Sequence, residues 1–101
     1  MRNKRWVLVG NEKYGLYIGQ TADGDAEIIE SRAVRLEDCR HVAEWFGEKG
    51  GITSLAAHGP CGPRAKESLV GAPCGALVTG VANVFDLSPE AIAAFEAVWV
   101  K

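Results

Sequence analysis

Five side chains in this 101-residue chain carry soft or nucleophilic chemistry: Cys39, His41, His58, Cys61 and Cys74. Four such groups in tetrahedral array would hold zinc. No two of the cysteines have the C-x2-C spacing of a zinc knuckle, and on a helix Cys39 and His41 would project from different sides. The spacing therefore assigns no metal and no cofactor. His58 stands three residues before Cys61, a candidate base beside a candidate thiol nucleophile. A catalytic base needs a group to orient it, and none stands out nearby, so no catalytic residue is assigned. Three cysteines are an odd number, and without an export signal reduced thiols are expected.

The same stretch reads more readily as a binding segment. Between His58 and Lys66 the glycines expose backbone N–H groups, while Arg64 and Lys66 add charge that suits a phosphate or carboxylate. The candidate binding residues are His58, Gly59, Cys61, Gly62, Arg64 and Lys66. The G-x-x-x-x-G-K-[ST] spacing of a nucleotide-hydrolysing loop is missing. The plain alternative is a rigid surface connection. Trp6, Trp45 and Trp99 sit among apolar neighbours and read as core. Asp23, Asp25, Glu27 and Glu30 lack the twelve-residue pattern of a calcium loop.

The elements that must position these residues follow from local signals. Arg5–Gly10 and Tyr14–Gly19 are rich in β-branched and aromatic residues and flank Asn11-Glu12-Lys13, which predicts a hairpin. Asp23-Gly24-Asp25 reads as a turn into a third strand over Ala26–Val34, completing an N-terminal β-meander. Leu36, Cys39, Val42, Ala43 and Phe46 recur at helical spacing, and Gly47 is placed to end that helix. From Gly50 to Pro73 the Gly-Pro and Ala-Pro pairs predict a long ordered loop, with Ile52–Ala57 as a short strand inside it. Gly75–Phe85 returns to strand character with a bulge near Gly80. Ser88-Pro89-Glu90 opens a C-terminal helix with a capping hydroxyl, a proline at the first position and an early carboxylate. The expected fold is α+β: one domain over residues 1–101, with an antiparallel sheet of about four to five strands and two helices.

Composition bounds the partners. With 48% apolar and 24% charged residues the chain is globular in type. Folding at this length would bury roughly 65% of the unfolded surface. The net charge of −2, with basic residues spread out except for Arg2, Lys4 and Arg5, argues against a nucleic-acid partner and against acidic mimicry of one. No apolar run reaches the roughly 18–20 residues of a membrane span, and no signal-peptide region precedes Asn11, so a cytoplasmic location is expected.

Tyr14-Gly15-Leu16-Tyr17-Ile18-Gly19, Ser31-Arg32-Ala33, Gly51 to Pro60 with its Leu55-Ala56-Ala57-His58-Gly59-Pro60, Gly80-Val81 and Ser88-Pro89-Glu90-Ala91 follow one another in a familiar order. In this the chain resembles a family of roughly hundred-residue bacteriophage and prophage proteins that read R-G-V-F-x-G, A-R, L-A-A-x-G-P and a closing short helix. It departs from that pattern in having Tyr14 where arginine is expected, Ser31-Arg32 in place of Ala-Arg, and an apparent extra helix around Cys39–Phe46. The resemblance implies a setting in the host bacterial cytoplasm and no particular activity. Together with the lack of a catalytic set, it leads to the expectation of a non-enzymatic counter-defence protein that inhibits a host protein or sequesters a small signalling ligand. The alternatives are an assembly module that homo-oligomerises through a sheet edge or the aromatic C-terminal helix, and a small thiol- or zinc-dependent enzyme.

Overall fold

The computed structural model describes residues 3–47 and 51–101; Arg2 of the basic start and Gly50, first residue of the expected loop, lie outside them. The fold is α+β, built on an antiparallel sheet. Strands β1 (Arg5–Asn11) and β2 (Gly15–Thr21) form the expected hairpin, with Leu8 opposite Ile18. Its turn is held by Asn11, whose Oδ1 accepts from the N–H of Lys13 at 2.8 Å and of Tyr14 at 2.7 Å.

The next two segments exchange the expected types. Residues 26–34 are not one strand: Asp25–Ser31 is helix α1. Gly24 is its N-cap, Glu27 reaches back to the Gly24 N–H, and Asp25 and Glu27 face the positive end of the dipole. The Asp23-Gly24-Asp25 signal is thus a helix start rather than a hairpin turn. Conversely, the expected helix from Leu36 to Phe46 is strand β3 (Ala33–Glu44), so Gly47 has no helix to end. The cause is a bulge. Val34 and Leu36 alternate inward, Asp38 then takes φ 51°, and the ladder shifts between Leu36 and Cys39. The added residue puts Cys39 three positions after Leu36 on the same face, and Val42 three positions further on the opposite face. Strand alternation broken in this way imitates a helical period.

The expected loop from 50 to 73 also contains a helix. Gly51–His58 is α2 rather than a loop with a strand at Ile52–Ala57. Leu55, Ala56 and Ala57 favour a helix, and Gly59 closes it at φ +69°, its N–H donating to Leu55 O at 2.8 Å. A 3-10 turn at Ala65–Glu67 and a short strand β4 (Leu69–Val70) follow. The stretch from Gly75 to Phe85 is two strands, β5 (Cys74–Thr79) and β6 (Val81–Asp86), meeting at Gly80 with φ +64°. The expected bulge near Gly80 is present: Gly10 and the next residue of β1, Asn11, face Asn83 and Val81, so Ala82 is the extra residue on β6. Helix α3 (Pro89–Glu96) begins as expected: Ser88 Oγ accepts from the Ala91 N–H at 3.0 Å.

The sheet runs β4-β3-β2-β1-β6, and β5 joins β3 on its N-terminal half. Only Gly80 separates β5 beside β3 from β6 beside β1, so the sheet curls on itself. Its two faces hold two cores. Leu8, Ile18 and Val42 pack with Leu55, Ala56, Ala91 and Phe95 of α2 and α3. Val7 and Val9 pack with Ile28 of α1, Val34, Leu36, Cys39, Val78 and Val81. Each large side chain fully enclosed in this way stabilises the fold by about 1.5–3 kcal/mol. Among the described residues no helix is long and apolar enough to cross a membrane.

Candidate functional site

The six binding residues read from sequence fall at the joint between α2 and the 3-10 turn, and most are engaged in holding it. His58 ends α2 and its Nδ1 lies 2.5 Å from Glu90 Oε2 on α3, both side chains exposed. Gly59 is buried; a Cβ there would stand 2.7 Å from Ala94 Cβ and 2.8 Å from Ala91 O, so its backbone seats against α3. The half-buried Cys61 donates its N–H to Phe46 O at 3.2 Å. Gly62 carries φ +87° and its O accepts from the Ala65 N–H at 3.2 Å. Arg64 lies 4.0 Å above the Phe46 ring and pairs in two-pronged fashion with Glu67. That bond is the main reason the guanidinium is held above its ordinary value and the Glu67 carboxyl below its own. Lys66 is exposed in the 3-10 turn. The segment offers Lys66 and the outer face of Arg64 to solvent, on a floor fixed by α3.

The other reactive groups are dispersed. Cys39 and Cys74 oppose each other across β3 and β5. His41 bonds to Tyr14 O at 3.0 Å and tilts against Tyr17. Among the described residues no three His, Cys, Asp or Glu side chains gather as a metal site. Glu90 supplies the orienting carboxylate for His58 that the sequence did not display, because it comes from a helix 32 positions later. The tryptophans serve the fold, Trp6 and Trp99 stacking at 5.6 Å.

A groove of about 580 Å³ opens elsewhere, between α1 and β6. The two elements are tied at both ends. Arg5 bridges Asp25 at 2.6 Å and Asp86 at 2.9 Å, and the Val81 N–H donates to Arg32 O at 3.0 Å, so α1 runs antiparallel to β6. The Asp25 bond, opposed by burial and aided by the charges of Asp25 and Asp86, raises the Arg5 guanidinium above its ordinary value. Arg32 pairs with Glu12 across the far end. Its apolar lining is Ile28 and Ile29 from the helix and Val81 and Val84 from the strand, Ile29 being 77% exposed, and Asn83 joins the paired charges in the polar part.

β6 is the outer strand here. The Leu87 N–H donates to Trp6 O at 3.1 Å, so in this register bonded pairs recur at Leu8–Phe85 and Gly10–Asn83. The intervening Val84 and Asp86 direct their N–H and C=O to the outer edge. Among the described residues no His, Cys or Ser lines the groove, and its carboxylates, Glu12 and Asp25, are held in ion pairs. The sequence concealed it because Asp25–Ser31 reads as a strand and its two walls lie some fifty positions apart. Comparison of the chain with protein-family models, curated proteins and solved structures returns no match.

Proposed function

We propose that the chain is a non-enzymatic binding protein that inhibits a host protein by taking an extended segment of it along β6. The observation that carries this reading is the outer edge of β6, with its free-facing N–H and C=O groups beside an apolar helix wall. An added strand would gain affinity from main-chain bonds and selectivity from side chains set against Ile29 and Val84. The phage or prophage setting, and hence a counter-defence role, is supported by the sequence resemblance alone.

The test is affinity capture from a bacterial lysate with the wild type, Ile29→Glu, and the double variant Arg64→Ala/Lys66→Ala. Ile29 is exposed, so its replacement leaves the fold intact, and recovery of the bound protein should fall about tenfold or more, the equivalent of about 1.4 kcal/mol. Folded wild type that retains no protein sinks the reading. Recovery that survives Ile29→Glu and is lost in the double variant moves the site to the segment from His58 to Lys66.

A second reading is an assembly module built on the same edge. From Val81 to Phe85 β6 carries no lysine, arginine or proline, the residues that usually blunt an exposed edge. A second copy would pair antiparallel, and Val84→Lys would dissociate it. Light scattering that finds a monomer at micromolar concentration removes this reading.

A further inference from the structure

We propose that Cys39 and Cys74 form a reversible dithiol–disulfide site that exchanges with small-molecule disulfides. The two residues are direct partners in the β3–β5 register. Opposed residues of antiparallel strands have Cα atoms about 4.5–5.5 Å apart, inside the roughly 4.4–6.8 Å that a disulfide spans. The Cys74 thiol is near enough to act on that of Cys39, adding to the effect of burial on it. The ladder is already broken by the bulge between Leu36 and Cys39, and Pro73, which has no N–H to pair, precedes Cys74. The local backbone therefore has room to adjust without breaking an unbroken run of bonds. Neither cysteine lines the groove or belongs to the segment from His58 to Lys66, so the site stands apart from the function above.

Exposure sets the order of events. Cys74 is exposed and Cys39 is buried beneath it. Burial, with Cys74 adding to it, pushes the Cys39 thiol up to about 11, so Cys39 is the poorer opening nucleophile. The Cys74 thiolate attacks one sulfur of the external disulfide, forming a mixed disulfide and releasing one small thiolate, which takes up a proton. Cys39 then gives up its proton and attacks the Cys74 sulfur, forming the internal disulfide and expelling the second small thiol. Two protein thiols are oxidised and one small disulfide is reduced to two thiols.

The intact protein is incubated with oxidised glutathione and measured by mass spectrometry, whole and after proteolysis under non-reducing conditions. The expected product has lost two hydrogens, contains a Cys39–Cys74 cross-linked peptide, and leaves Cys61 open to alkylation. Closing a loop of this length should also raise Tm by about 10 °C. Cys61→Ser should behave as wild type, while Cys74→Ser should form no internal disulfide. A stable glutathione adduct on Cys74 that never resolves, or a disulfide that includes Cys61, overturns the proposal.

Discussion

At the scale of single residues, Arg40 carries the largest mismatch between type and surroundings. It is buried in β3 with its guanidinium 3.8 Å from the Trp99 ring centroid. Nη1 donates to Gly71 O at 3.0 Å and to Val100 O, while Nε has no partner. A charge satisfied by carbonyl dipoles and a ring rather than a carboxylate fastens the end of the chain to the sheet. Arg40→Ala should lower stability by about 2–4 kcal/mol, because it opens a cavity and leaves buried carbonyls bare. Urea unfolding followed by tryptophan fluorescence measures this. Cys39 gives a pH test with a definite sign. Its folded thiol titrates near 11 against 9.0 for the free group, so folding favours the protonated form. That contribution, at most about 2–3 kcal/mol, is complete below pH 9 and is lost as pH rises toward 11. Wild type should therefore lose more stability between about pH 8 and about pH 10.5 than Cys39→Val, measured by urea midpoints at both.

At the scale of elements, what the sequence disclosed depended on whether the deciding signal was local. The β1–β2 hairpin and α3 were legible because Asn11 and Ser88-Pro89 act within three residues of themselves. Ser88 does more than cap: its hydroxyl also donates to Ala57 O, joining α2 to α3. Ser88→Ala should cost about 1–2 kcal/mol, at the upper end for an N-cap, and thermal unfolding would report it. β3 was illegible because its bulge breaks the period of two, and α1 because Ile28 and Ile29 suit a strand as well as a helix. The reading of α2 failed on prolines that lie beyond its end rather than inside it. For the site, the stretch from His58 to Lys66 was visible as a chemical composition. Its inward obligations to α3, Phe46 and Glu67 were not, since each partner is set by the fold.

At the scale of the whole molecule, β1 lies between β2 and β6 and divides the two cores. Val7 and Val9 enter one and Leu8 the other. Such a strand carries little information about its own alignment. Slid by one position, it would still present an apolar side chain to each core, so exposure exacts almost no penalty for the error. The alignment must be encoded at its end. Asn11 is the residue placed to do so, holding the turn through Oδ1 and the last residue of β5 through Nδ2 to Thr79 O. Asn11→Ala should yield a protein that keeps its strand content by circular dichroism while its amide NMR signals for Val7–Val9 double. In that sense one amide side chain, and not the apolar run it follows, decides which of two nearly equivalent sheets this chain becomes.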